Sequence, residues 1–213
     1  MDGRMGRYHP LDVPYIRQTW NATCGPACLM MVLKYWDPSF AFSPHVEFRL
    51  WQKSFSLVFF GGTLPGGLAS AAHTSGFRSE VYRKTPWPTC YPKAPRLVSL
   101  IDHWTMARAR RQHIPIINGK ESDTVLQDAL NQGIPPIVMV NLKPLLGENV
   151  FHWIVLTGLD EKTAYINDPY IPPGFPDTTK KNYPIPRDLF RQAMATDAYR
   201  HLRLPPSIVL VHK

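Results

Sequence analysis

The 213-residue sequence predicts an α+β fold in a single domain, with a mainly helical lobe over about residues 1–133 and a mainly antiparallel sheet lobe over about 134–213. Three observations carry this reading. Leu29, Val32, Leu33 and Trp36 recur at helical spacing behind a polar turn, which predicts a helix from about Cys24 to Tyr35. Thr124–Leu130, Gly133 and Ile134–Val140 give a helix, a glycine stop and an apolar strand in succession. Phe151–Asp160 and Thr163–Asn167 are strand-like runs joined by a short polar connection at Asp160-Glu161-Lys162. Helices gathered ahead of strands give the α+β class.

In chain order, Leu11–Ile16 is expected as a short strand leading into the turn before Cys24. Pro26 falls in the first helical turn, where its missing N–H costs nothing. Asp37-Pro38 ends that helix, and Ser43-Pro44 supplies N-cap and N1 residues for a second, with Val46, Leu50 and Phe55 on its apolar face. Gly61–Ala72 is a glycine-rich turn entering a small-residue helix, with Gly76 at its C-terminus. No lysine follows those glycines at Walker spacing, so they are read as permitting close backbone packing beside the first helix. Phe77–Tyr82 alternates as a strand, Leu97–Arg111 reads as a helix, and His113–Asn118 as a strand or loop. Ser122 is the expected N-cap of a helix over Asp123–Gln132. The 22 prolines concentrate in Thr85–Pro95 and Pro169–Pro186, read as ordered, extended surface loops.

Composition narrows the function classes. Hydrophobic residues at 44% and charged residues at 19% suit a globular core and exclude a disordered chain. No apolar run is long enough to span a membrane. Met1–His9 lacks the apolar centre of a secretory signal, and three cysteines, an odd number, fit free thiols in a reducing cytoplasm. The net charge of +8 is densest at Arg108, Arg110 and Arg111, at the end of a predicted helix, where basic residues complement the dipole on a solvated face. No nucleic-acid motif accompanies the charge, so no nucleic-acid partner is expected, and a surface attracting acidic peptides fits it at least as well. Cys24-x3-Cys28 has no second ligand pair, and His103 and His113 stand too far apart to share a metal, so no metal or cofactor is expected. Cys28 reads as core, Trp153 as packing over the sheet, and Cys90 has no identifiable duty.

The chemistry concentrates at two places. Cys24 lies at the start of its helix, where unpaired amides and the macrodipole favour an anion and hence a nucleophilic thiolate. Gln18, six residues earlier, is close enough for its side-chain amide to join the Cys24 amide around a developing oxyanion. His152 and Asp168 lie at the outer ends of the two paired strands, a pairing centred near Glu161-Lys162 that brings them roughly opposite. A carboxylate beside an imidazole orients the ring and favours its cation.

Gln-x5-Cys-Gly-Pro-Ala at Gln18–Ala27, preceded by Asp12-Val13-Pro14-Tyr15, resembles the double-glycine leader peptidases that process bacteriocins, within the papain-like cysteine peptidases. The His-x15-Asp-Pro arrangement at His152–Pro169, with Gly158 between, resembles them too, and the His and its partner follow the cysteine at roughly the 130–150 residues seen in papain-type enzymes. The Gly-Thr-x-x-x-x-Leu segment at Gly62–Leu68 is similar to one in that family. The resemblance implies a papain-like fold, with Cys24 as nucleophile, His152 as base, Asp168 orienting it and Gln18 as oxyanion donor. It also implies a peptide or protein substrate cleaved after paired small residues, usually Gly-Gly. The chain departs from the transporter-fused form, having no membrane domain or ATPase, and reads as a free-standing peptidase. A thiol acyltransferase using the same acyl-enzyme, and a peptide-binding module without turnover, are the two other readings the residues leave open.

Overall fold

The computed structural model describes residues 10–54, 62–83, 96–120, 122–175, 179–195 and 207–213. Phe55, Gly61, Cys90, the Thr85–Pro95 cluster and Met1–His9 lie outside the described residues.

Helix α1 (Cys24–Trp36) is buried from Cys24 through Leu33, as its nearly all-round apolar sequence demands. Lys34 in its last turn donates to the Pro38 and Phe40 carbonyls just beyond the helix. Helix α2 (Pro44–Lys53) starts as its sequence predicts: Pro44 is at N1, and Ser43 Oγ accepts from the Val46 amide. Helix α3 (Pro65–His73) carries the glycines, and their packing role is visible. A Cβ on Gly67 would lie 2.0 Å from the Ser54 carbonyl oxygen, and one on Gly66 would lie 2.9 Å from the Thr105 backbone. The close approach is therefore to the end of α2 and to α4 (Arg96–Arg111), while Gly25 on α1 meets Thr63 just ahead of α3.

The remaining elements are β1 (Arg78–Arg83), β2 (Ile116–Asn118), α5 (Ser122–Asn131), β3 (Ile137–Asn141), the short α6 (Lys143–Leu146), β4 (Phe151–Leu159), β5 (Thr163–Asn167), β6 (Tyr183–Pro186), α7 (Arg187–Ala195) and β7 (Ser207–His212). The strands form one sheet in the order β2-β1-β7-β3-β4-β5-β6, antiparallel except for the parallel β1–β2 pair. Both faces are covered. Ile137, Met139, Trp153, Val155, Val209 and Val211 pack with α1 and α3, whereas Val138, Val140, Ile154, Leu156, Ile208 and Leu210 pack with α5 and α7. Covering both faces explains why β3 and β4 read as continuous apolar runs instead of alternating ones.

Several expectations change. Leu11–Ile16 is not a strand: its Leu11 amide donates to the Thr157 carbonyl and its Val13 carbonyl accepts from Asn167 Nδ2, but Pro14, lacking an N–H, interrupts any ladder. Ser122 is the first residue of α5, one place inside the predicted cap. The sheet also crosses the expected lobe division, because β1 and β2 come from ahead of residue 133 and join through β7. Strands β6 and β7 and helix α7 were not anticipated, β6 because it lies inside the proline cluster read as loop.

Candidate active site

The turn preceding α1 is held from several sides. The Trp20 carbonyl accepts from Thr23 Oγ1 at 2.8 Å and from Gln18 Nε2 at 3.0 Å, and Ala22 takes φ +76°, a left-handed conformation rare outside glycine. Glu47 of α2, fully buried, accepts from the Thr19 amide at 3.0 Å and from Thr19 Oγ1 at 2.6 Å. Cys24 emerges from this turn as the first residue of α1, 6% exposed, with its amide among those no intrahelical carbonyl can satisfy.

Strand β4 brings His152 to the same place. Its Nε2 lies 2.7 Å from Asp168 Oδ1, and the Cys24 side chain is near enough to the ring to favour its cation. Near the hairpin turn the pairing is as predicted, with Leu159 facing Ala164. An irregularity between Leu156 and Gly158 then shifts the register, so that Asn167 faces Val155. His152 and Asp168 therefore lie past the last pair, and the two side chains, not the ladder, close the distance.

The electrostatics follow from burial and neighbours. Burial is the largest influence on His152 and opposes its cation, but the charges of Asp168 and Cys24, with the hydrogen bonds each makes, outweigh it and push the pKa up from 6.5 to about 10. Burial likewise works against the Asp168 carboxylate, and the combined pull of His152 and Lys180 holds it below the usual carboxylate range. Cys28, one turn after Cys24, is fully buried and donates to the Trp153 carbonyl at 3.2 Å. Burial, then the charges of Cys24 and Asp168, push its thiol well up, which leaves it an inert core residue. Trp153 packs as expected, 2% exposed, with Nε1 donating to the Thr63 carbonyl.

Cys24, His152 and Asp168 are thus brought together. Gln18 sits on the adjoining turn, its amide nitrogen engaged with Trp20 and its Oε1 buried without a hydrogen bond. Its backbone amide donates to the Pro169 carbonyl at 3.0 Å, which ties this turn to the segment carrying Asp168.

Three residues around the site were not read from the sequence. Glu47 looks there like an ordinary first-turn acid on an amphipathic helix. Tyr15, whose hydroxyl donates to the Asp168 carbonyl at 3.0 Å, falls within the quoted Asp12–Tyr15 segment but carries no sign of a partner 153 residues away. Lys180, whose ammonium reaches Asp168 Oδ2 at 2.9 Å, sits in a proline-rich stretch where a lysine reads as solvated. Among the described residues no group of three or more His, Cys, Asp or Glu side chains is arranged to hold a metal ion, and no helix is long and apolar enough to cross a membrane.

The model of the Peptidase_C39 like family matches residues 13–204. A comparison with curated proteins returns no match. Among solved structures, the chain is similar to the peptidase domain of Streptococcus ComA, a bi-functional ABC transporter of a quorum-sensing pathway: 17% identity, 92% of this chain and 96% of that one covered, TM-score 0.52. It is similar also to a protein of Bacillus anthracis described as a C39-like peptidase, at 16% identity over 97% and 98% of the two chains, TM-score 0.53. A double glycine motif protease from an AMS/PCAT transporter, solved with its leader peptide, aligns at 20% identity over 95% and 93%, TM-score 0.49. The first two likenesses show a papain-like peptidase fold. With the family match spanning nearly the whole length, the chain belongs to the Peptidase C39-like family.

Proposed function

We propose that the chain is a cysteine peptidase that hydrolyses a peptide amide bond through a Cys24 thioester. The observation that carries the reading is His152 with the buried Asp168 carboxylate 2.7 Å from its Nε2 and Cys24 near enough to raise its pKa. The Cys24 thiolate, paired with the His152 imidazolium, attacks the scissile carbonyl carbon. The tetrahedral oxyanion lies against the Cys24 amide and the second N–H of Gln18 Nε2, the first being spent on Trp20. As the C–N bond breaks, His152 gives its proton to the leaving amine, and the acyl group stays on sulfur. His152 then takes a proton from water, whose oxygen attacks the thioester, and keeps it as the Cys24 thiolate departs, restoring the ion pair. Asp168 keeps the ring oriented and its cation favoured throughout.

Cleavage after small residues, such as a Gly-Gly pair, is the specificity that the resemblance of the Gln18–Ala27 and His152–Pro169 segments to the double-glycine leader peptidases supports. Both described cysteines of α1 are free thiols, which suits a reducing cytoplasm. The test is the pH dependence of alkylation at each cysteine, followed by peptide mass spectrometry in wild type and His152→Ala, together with turnover of Gly-Gly peptides. Rapid modification of Cys24 alone, abolished by the substitution, with peptide cleavage lost in Cys24→Ala, is the expected result. A Cys24 that behaves as an ordinary thiol, or tight peptide binding without cleavage, would sink the reading.

A further inference from the structure

We infer that Lys180 is a positioning residue of this site: its ammonium holds the far oxygen of Asp168 and, by sharing that carboxylate, sets how firmly His152 retains its proton. The inference rests on the peptidase reading for its effect on turnover, but not for its electrostatics.

The two Asp168 oxygens have divided duties. Oδ1 accepts from His152 Nε2 at 2.7 Å and from the Tyr170 amide at 2.9 Å, while Oδ2 accepts from Lys180 Nζ at 2.9 Å. The lysine side chain is only 4% exposed, and its ammonium stands 4.8 Å from the centroid of the Phe175 ring. Lysine is almost never so buried unless it is paired. The backbones of the two residues are fastened as well. The Asp168 amide donates to the Lys180 carbonyl at 3.3 Å, and the Tyr15 hydroxyl donates to the Asp168 carbonyl at 3.0 Å.

Two consequences follow. The carboxylate cannot rotate about its χ2 axis without giving up a charge-assisted bond, so Oδ1 stays aimed at the imidazole. One negative charge also serves two cations, so His152 holds its proton less firmly than it would beside an unshared carboxylate. Among the described residues, the titratable and charged groups facing the pair are Cys24 and Cys28 from α1, Tyr15 from the segment before it, Tyr170, whose ring packs edge-on against the imidazole at 6.1 Å, and Lys180. With Cys24 as thiolate and Asp168 ionised, His152 and Lys180 bring the buried array to zero net charge. Without Lys180 the closed site would carry an uncompensated anion.

The experiment uses Cys24→Ala, which removes the thiolate and so brings the His152 titration below its wild-type position near pH 10. His152 is followed by imidazole NMR. Adding Lys180→Gln keeps an N–H donor but removes the charge, and the His152 midpoint should rise by about one pH unit. Adding Lys180→Arg, which keeps the charge, should leave the midpoint in place. An unmoved or lowered midpoint in the glutamine variant overturns the inference, because a merely structural lysine would not tune the ring. Should that variant not fold, the Lys180 side-chain signal of Cys24→Ala itself decides: it must move at the His152 midpoint, and its failure to do so is equally fatal. With Cys24 intact, Lys180→Gln should lower kcat/KM about tenfold. Cleavage by wild type but not by Cys24→Ala tests the peptidase reading separately, and the NMR result stands whatever that comparison gives.

Discussion

Asp168→Asn replaces a buried carboxylate by an amide of nearly the same shape, and the structure specifies what should follow. In the wild type the rise of His152 from 6.5 to about 10 corresponds to a preference of about 5 kcal/mol for the imidazolium in the folded state. Asp168 supplies the largest favourable share of that preference, against a burial effect larger than any single neighbour. Once the carboxylate is neutral, burial faces only Cys24, and the Lys180 ammonium across the amide now repels the imidazolium. The His152 midpoint should fall to 6.5 or below. At about pH 7.5 nearly every wild-type molecule carries the cation, whereas at most about one in ten Asn variants would. Iodoacetamide labelling of Cys24 at that pH should therefore slow about tenfold or more, and kcat/KM should fall by at least as much. An Asn variant that keeps its circular dichroism spectrum and labels Cys24 at the wild-type rate would refute the reasoning.

The same substitution has a stability arm with a definite sign. The folded-state value of His152 is raised, so its contribution is fully present below pH 6.5 and is lost as pH climbs toward about 10. That of Asp168 is lowered, so its contribution is present above pH 3.8 and is lost as pH falls below it. Asp168→Asn removes both and leaves the buried Lys180 ammonium without its counter-charge, a loss of about 3–5 kcal/mol in urea unfolding near neutral pH. Adding Lys180→Gln to the Asn variant removes the orphaned charge and should recover part of that loss without restoring the labelling rate.

Other substitutions separate chemistry from scaffold. Gln18→Ala should reduce kcat by about a hundredfold while leaving Cys24 labelling near the wild-type rate, because an oxyanion donor acts on the tetrahedral intermediate and not on the thiolate. Gly67→Ala should destabilise the protein by about 3 kcal/mol or shift α3, since its Cβ would fall 2.0 Å from the Ser54 carbonyl oxygen, and chemical denaturation measures it. Asp102→Ala should cost about 3–5 kcal/mol in the same assay, because it removes the carboxylate whose two oxygens accept from the buried Arg83 guanidinium at 2.9 and 2.6 Å.

What the sequence disclosed and what it withheld divide along the range of the forces involved. Helix α1 was legible because its start depends on neighbours in the chain: a polar turn, Pro26 in the first turn, and apolar residues at helical spacing. The β4–β5 hairpin was legible for the same reason, its turn lying only three residues long between Leu159 and Thr163. Strand β7 was not, although it lies between β1 and β3 in the sheet. Its place depends on pairings with Arg78–Arg83 and Ile137–Val138, which no local pattern records. The site shows the same split. Cys24 and His152 announce themselves through helix-end chemistry and a strand-borne imidazole, and their sequence context is enough to suggest a resemblance. Lys180 is twelve residues from Asp168 in a proline-containing stretch, and only its place beside β6, with its ammonium over the Phe175 ring, turns a solvated-looking lysine into a buried partner. Local rules thus find the groups that do the chemistry proposed here, whereas the groups that set their charge and aim are supplied by long-range pairing. A homologue that keeps the cysteine, histidine and aspartate but replaces this lysine by a neutral residue should therefore keep the fold and hold its imidazolium to higher pH.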